Sequence, residues 1–226
     1  MCSGRVDMAF VLRAFANGAD GVFIGGCWLG ECHYVTEGNY DALSMMHLAR
    51  KVLEQVGVNP ERLRLEWIAG SEGMRYAEVM NDFGKKLKEL GPIGVGEGIS
   101  AEGLKLKFQA VNKILPFLKL VERERLRVRF KTEAEYAEFF GSAEVNSLIR
   151  ELVADKLAIS QITTLLGRNP LTTKAISEIL HLEPAAVARY LNSSARQGLV
   201  RYDSSLKHYA IALCNRVNRL SSCLTA

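Results

Sequence analysis

Apolar residues recur at helical spacing over residues 7–17, with Phe10, Val11, Ala14 and Phe15 on one face. Asp7 is placed to cap that helix and Gly18 to end it. The run at 22–26 (VFIGG) is apolar and short, and reads as a buried strand. A second helical pattern covers 41–56, with Leu43, Met46, Leu53 and Val56 in register, and Gly57 and Pro60 stop it. Residues 63–68 (LRLEWI) form the next predicted strand. Ala69-Gly70-Ser71-Glu72 then leads into a helix ending near Leu90. This α, β, α, β, α order with short connections predicts a parallel sheet covered by helices. Two strands and three helices cannot bury such a sheet on both faces. The expectation is therefore a truncated start lacking one or two strands, or a partner that completes the sheet.

Beyond a glycine-rich joint (Gly91, Gly94, Gly96, Gly98), predicted to be a flexible linker, a helix is expected over 101–120. Its apolar face carries Leu104, Phe108, Val111, Leu115 and Leu118, and Pro116 is expected to kink or end it. The charge-dense stretch 122–131 reads as a solvated surface, and 132–156 as helical again. Three helices follow, at 159–166, 174–180 (capped by Thr172 or Thr173) and 185–197. Two strands, 199–202 and 208–212, then flank a turn. That outline is similar to a winged helix-turn-helix domain. The whole is expected to be an α/β protein. Its parts are a small parallel-sheet domain over 1–92, a mostly helical linker region over 93–158, a winged-helix-like domain over 159–212 and a tail over 213–226.

Composition changes this picture little. The 226 residues carry 24% charged and 48% hydrophobic side chains, with a formal net charge of +4. That excess is too mild and dispersed to point to nucleic acid by itself. No apolar stretch approaches the roughly 20 residues of a membrane helix, and no signal-peptide core is present. The expectations are a cytoplasmic location and no membrane partner.

The cysteines change it more. Three of the five, Cys2, Cys27 and Cys32, fall in the first 32 residues, whereas Cys214 and Cys223 read as incidental thiols. In a reducing compartment such clustering points to metal ligands or redox groups. Cys27 and Cys32 lie on the loop after a predicted parallel strand, the end of the sheet where ligands bind in α/β folds. Neighbouring glycines let the backbone approach a cluster and free its amides to hydrogen-bond sulfur. Cys2 precedes a helix on the neighbouring segment and is placed to converge on the same point. Three thiolates make a partial cage for iron or zinc, both of which usually take four ligands. Two plain thiols without metal and a zinc site remain alternatives. His33 is a candidate fourth ligand, although its place beside Cys32 favours packing, and His47 reads as a half-buried structural histidine.

The segments MCSGRV (1–6), GCWLGECHY (26–34), EGNY (37–40), PERLRLEWI (60–68) and SEG (71–73) resemble the delta subunit of methyl-viologen-reducing hydrogenase. The resemblance spans about residues 1–92. It implies a 2Fe-2S cluster as cofactor, with Cys2, Cys27 and Cys32 as metal ligands and no catalytic residues. The implied role is to pass electrons between hydrogenase or formate dehydrogenase-type subunits and the flavin-bearing subunit of a heterodisulfide reductase (its A-type flavoprotein). The resemblance also implies some thirty earlier residues with a strand and a C-x-x-C pair, in keeping with the strand shortage. The loop reads Trp28-Leu29 where many relatives have His-Pro, which suggests a branch with a different electron donor. Arg5 is a candidate tuner of the cluster, or else a surface salt-bridge residue. Trp28 is read chiefly as loop packing and Glu31 as solvent-facing.

A competing class is a redox-sensing DNA-binding regulator, with Arg189, Arg196 and Tyr190 on the third helix of the winged-helix-like domain. Two cationic side chains make a weak phosphate-binding face. Nucleic acid is therefore not expected, and a protein adaptor role is favoured for that domain. A zinc-binding structural protein is the third reading.

Overall fold

The computed structural model describes residues 2–212, so Met1 and the tail with Cys214 and Cys223 lie outside the described residues. The chain divides into two compact units between Leu157 and Ala158.

In the first unit, helix α1 (Met8–Ala16) starts where the Asp7 carboxylate accepts the N–H of Ala9 at 2.8 Å. It buries Met8, Val11, Leu12 and Phe15. Phe10, expected on the buried face, is instead 59% exposed. At 100° per residue the four buried side chains form a narrower stripe that leaves Phe10 to one side. Strands β1 (Val22–Gly26) and β2 (Leu63–Trp67) pair in parallel, Val22 opposite Leu63 and Gly26 opposite Trp67. Between them runs α2 (Asn39–Val56), two residues longer at its start than the periodicity predicts, closed by Gly57 at φ 78°. Its apolar side, including Leu43, Leu48, Val52 and Leu53, forms the middle of the core. On α3 (Gly73–Leu90) only Val79 and Phe83 are buried, while Met74 and Tyr76 stay exposed. Phe23 of β1 packs against Phe83 and Tyr76. Among the described residues this sheet keeps two strands.

The glycine-rich joint is not a loose linker. The fully buried Arg62 guanidinium donates to the carbonyls of Asp20, Leu90, Gly91 and Pro92 and to the Glu97 carboxylate. Glu97 also accepts the N–H groups of Asn59 and Gly94, and Asp20 accepts that of Ile93. A Cβ on Gly96 would lie 2.1 Å from the Leu90 carbonyl oxygen, so its glycine permits the close crossing. The signal was in PERLRL, but an arginine in a strand-edge motif does not reveal from sequence which carbonyls it gathers.

Helix α4 (Ala101–Arg125) continues past Pro116 without a break. Burial of Val111, Leu118 and Val121 offsets the lost N–H, so the expected stop does not occur. Phe108 of α4 stacks on Phe15 of α1, with centroids 6.3 Å apart. The following charged stretch is solvated on one side only. Leu126 is fully buried and Val128 and Phe130 pack inward, while Arg125, Arg127, Arg129 and Lys131 face out. Helices α5 (Glu133–Gly141) and α6 (Ala143–Ile149) are separated by Ser142, and a π-helical turn (Arg150–Ala154) follows. Tyr136, Phe140, Val145 and Val153 join the core built by α1, α2 and α4. Residues 93–157 thus share one core with residues 1–92.

The second unit contains α7 (Asp155–Leu166, whose first turn crosses the boundary), α8 (Thr173–Leu180), α9 (Pro184–Arg196), β3 (Val200–Asp203) and β4 (His208–Ile211). Thr172 caps α8 by accepting the N–H of Ala175. Strands β3 and β4 are antiparallel, and Leu171 adds a single bridge to Tyr209. Among the described residues, no helix is long and apolar enough to cross a membrane.

Candidate functional site

Just beyond the C-terminal ends of β1 and β2 lies a cavity of about 380 Å³, lined by Cys2, Ser3, Gly25, Gly26, Cys27, Cys32, His33, Tyr34 and Ile68. All three N-terminal cysteines reach it, as free thiols. The Cys2 and Cys32 sulfurs are 3.7 Å apart, and the Cys27 thiol interacts with that of Cys32. Cys2 arrives on the short 3₁₀ turn Ser3–Arg5, Cys27 directly off β1, and Cys32 at the end of the turn that follows.

Two glycines make this convergence possible. A Cβ on Gly38 would sit 2.4 Å from the Cys32 sulfur and 3.2 Å from that of Cys2. Gly38 also has φ 58°, a conformation that disfavours any side chain. A Cβ on Gly4 would fall 2.2 Å from the Gly38 carbonyl oxygen, so the two backbones touch and the Cys2 turn is seated on the Gly38 turn.

The electrostatics of the thiols are unequal. Burial pushes Cys32 up, but the amide N–H groups of Asn39 and Tyr34 and the Cys2 and Cys27 side chains outweigh it, leaving Cys32 below the usual thiol value. Burial, followed by the neighbouring Cys32 and Cys2 sulfurs, holds Cys27 above it. Backbone donors thus favour negative charge at Cys32 more than at Cys27.

Asn39, fully buried, was not singled out by sequence reasoning. Its carboxamide nitrogen donates to the carbonyls of Cys27 (2.9 Å) and Trp28 (2.8 Å) and lies 4.0 Å from the Cys27 sulfur. The available signal was a Gly-Asn pair directly before a helical pattern. Glu72 and Arg75 were also missed. The Trp28 indole donates to Glu72 at 2.9 Å, Arg75 stacks over the ring at 4.8 Å, and Glu72 accepts the N–H of Ala69. Trp28 is thereby tied to the loop after β2, in accord with a packing role.

The other expected residues fall out as follows. His33 lines the cavity, is exposed and packs edge-on against Tyr34. Arg5 is exposed and lines a neighbouring depression with Asp7, Asp41, Lys119 and Glu122. Glu31 faces solvent. His47 stacks on Phe140 with centroids 5.0 Å apart, and burial with nearby Arg50 and Lys51 lowers it to about 4.

A sulfur-ligated cluster is tested against this donor set on three features. Three cysteines share one cavity, backbone amides already point at one sulfur, and two buried polar atoms beside the site, Ser3 Oγ and Asn39 Oδ1, have no protein partner. The residues fit such a group as far as they go, one thiolate short of a four-cysteine set. Among the described residues, no three His, Cys, Asp or Glu side chains are already spaced to hold a single metal ion.

The fold and site define a small parallel α/β unit carrying a three-thiol centre at the C-terminal edge of its sheet. The chain belongs to the family described as methyl-viologen-reducing hydrogenase, delta subunit, whose model matches residues 1–91. It is 56% identical over 91 residues to the iron-sulfur D subunit of the F420-non-reducing hydrogenase of Archaeoglobus profundus, covering 40% of this chain and 66% of that one. It is 45% identical over 97 residues to the iron-sulfur D subunit of the vhc F420-non-reducing hydrogenase of Methanococcus voltae, covering 43% of this chain and 67% of that one. It is 48% identical over 94 residues to the A subunit of the ferredoxin/F(420)H(2)-dependent CoB-CoM heterodisulfide reductase of Methanosarcina acetivorans. That stretch is 42% of this chain and 12% of the much longer relative. The chain thus spans just under two thirds of the first relative and about an eighth of the reductase polypeptide.

Proposed function

We propose that this chain is an electron-transfer subunit of an oxidoreductase complex, with Cys2, Cys27 and Cys32 as ligands of a 2Fe-2S cluster. It would relay electrons between a hydrogenase or formate dehydrogenase-type module and an A-type flavoprotein of a heterodisulfide reductase, in the cytoplasm, where thiols stay reduced. The observation that carries the reading is the meeting of three cysteines from two segments at one cavity, with Cys2 and Cys32 sulfurs 3.7 Å apart. The relatives add support, because they include iron-sulfur D subunits of hydrogenases and a segment of a heterodisulfide reductase A subunit.

When bound, the cluster supplies one-electron chemistry without bond-making on substrate. The chain's own residues hold and tune it. Gly4 and Gly38 let the backbone close on the sulfurs. The N–H groups of Asn39 and Tyr34 stabilise negative charge at Cys32 and so favour the reduced form. Trp28, fixed by Glu72 and Arg75, restrains the loop between the ligands.

The test is anaerobic purification with iron, zinc and acid-labile sulfide analysis and a visible spectrum before and after dithionite. Iron with equimolar sulfide, bleached on reduction and lost in Cys2→Ser, Cys27→Ser and Cys32→Ser, is expected. Zinc without sulfide would replace this reading with the structural zinc protein.

For the second unit we propose a winged-helix-like adaptor. Val187, Leu191 and Ser194 of α9 face inward, and Ala185, Arg189, Asn192 and Arg196 form an open face. Duplex DNA binding that weakens steeply between about 50 and 200 mM salt would favour the regulator reading instead.

A further inference from the structure

The geometry points to Asn39 as the positioning residue that sets Cys27 and Cys32 relative to one another. This rests on the cluster reading above. From the start of α2, Asn39 and the glycine before it reach both cysteine positions. Its carboxamide nitrogen holds the Cys27 and Trp28 carbonyls at 2.9 and 2.8 Å and approaches the Cys27 sulfur at 4.0 Å. The residue directly before it, Gly38, has its backbone against the Cys32 sulfur, where a Cβ would lie 2.4 Å away. Cys27 and Cys32 are joined by a turn containing Gly30 at φ 85°, which imposes little stiffness of its own. The spacing of the two sulfurs therefore needs an external brace, and Asn39 stands on the rigid first turn of α2, buried to 0% exposure.

The brace carries a cost that stability does not explain. Asn39 Oδ1 is buried without a protein partner, an arrangement that an apolar side chain of the same shape would avoid. The amide orientation is fixed, because flipping it would turn the oxygen toward two carbonyl oxygens. The carboxamide makes no bond within its own helix, so its hydrogen bonds serve the cysteine loop. Outer groups of this kind orient metal ligands, and their loss usually weakens metal binding about 10- to 100-fold.

The experiment compares wild type, Asn39→Leu and Asn39→Ala as full chains. Each metal-free protein is titrated with Co²⁺, reading the thiolate-to-cobalt charge-transfer band. Each is then reconstituted with iron and sulfide for cluster content, visible circular dichroism and midpoint potential. Asn39→Leu keeps the volume and removes the orphaned oxygen but leaves the Cys27 and Trp28 carbonyls without their donor, so a cooperative melting transition is expected to remain, at a modestly lower midpoint. Its Co²⁺ affinity should fall about 10-fold or more, and any residual cluster should show an altered dichroism spectrum and a shifted potential. Variants that bind Co²⁺ and cluster as wild type does, at the same potential, would overturn the role of Asn39 while leaving the cluster reading intact. Loss of the melting transition together with metal in both variants would mark Asn39 as structural and overturn the inference as well. A wild-type chain that takes up neither Co²⁺ nor cluster would overturn the underlying reading and this inference with it.

Discussion

The α-carbon of Gly38 is backed directly against the Cys32 sulfur, so that a Cβ there would lie 2.4 Å from it. Gly38 is also held at φ 58°, ψ −115°. Gly38→Ala therefore meets a steric clash and a strained backbone at once, the latter worth about 1–2 kcal/mol. The expected outcome is displacement of the 33–38 loop, a fall in iron and sulfide to a small fraction of wild type, and a lower melting midpoint. Gly18→Ala, at φ 89° but with open space around its Cβ, should cost stability without touching cluster content.

Arg62 and Glu97 form an ion pair at 2.6 Å, with the arginine side chain 0% and the glutamate 9% exposed. Removing one partner strands a buried charge, which typically costs about 3–5 kcal/mol. Glu97→Ala and Arg62→Leu should each lower the urea midpoint by that equivalent. Arg62→Leu should be the worse, because four backbone carbonyls lose their donor with it. Equal stability of variants and wild type would show that the joint is held by something other than this clasp.

Glu122 and His47 make opposite contributions to stability against pH. Burial pushes the Glu122 carboxyl up to about 7, helped by Asp7 and Asp41 and opposed by Lys119. The unfolded chain loses that proton near the ordinary carboxylate value, so the folded state binds more protons between about 4.5 and 7 and stability falls as pH rises through that window. His47, lowered to about 4, stays neutral in the folded state while the unfolded chain protonates, so stability falls as pH drops from about 6.5 to 4. Glu122→Gln should stabilise at pH 8 by about 1–3 kcal/mol, after allowance for partial exposure, with little effect at pH 4. His47→Phe should stabilise chiefly below about pH 5. Denaturant midpoints measured across pH 4–8 check both signs.

Trp28 is held by one hydrogen bond to Glu72 and by the Arg75 guanidinium over its ring. Arg75→Ala should cost about 0.5–2 kcal/mol of loop stabilisation. In a Trp67→Phe background, where Trp28 is the sole indole, it should raise the accessibility of that ring to acrylamide quenching. The same quenching with and without Arg75 would mean that the cation does not restrain the loop.

Much of this protein was legible in the sequence because its determinants are local. Period and punctuation located α1, β1, β2, α8 and the hairpin to within a residue or two, and the Asp7 and Thr172 caps were readable from residue type and place. The cysteines and their parallel-strand setting were likewise visible, since spacing and a glycine-rich loop after a strand are sequence properties. Tertiary structure alone decided which faces met and what braced them. Phe10 lost its place in the core because α2 and α4 approach another stripe of α1. Pro116 failed to end α4 because packing outweighs one missing hydrogen bond. The glycine-rich stretch 91–98 became a fixed turn because Arg62, some thirty residues earlier, gathers the Leu90, Gly91 and Pro92 carbonyls and the Glu97 carboxylate. Asn39 and Gly38 became neighbours of all three sulfurs because the chain returns at the start of α2 to the end of β1. Local propensity is set by a few adjacent residues, whereas such long-range contacts depend on the free energy of the whole packed core.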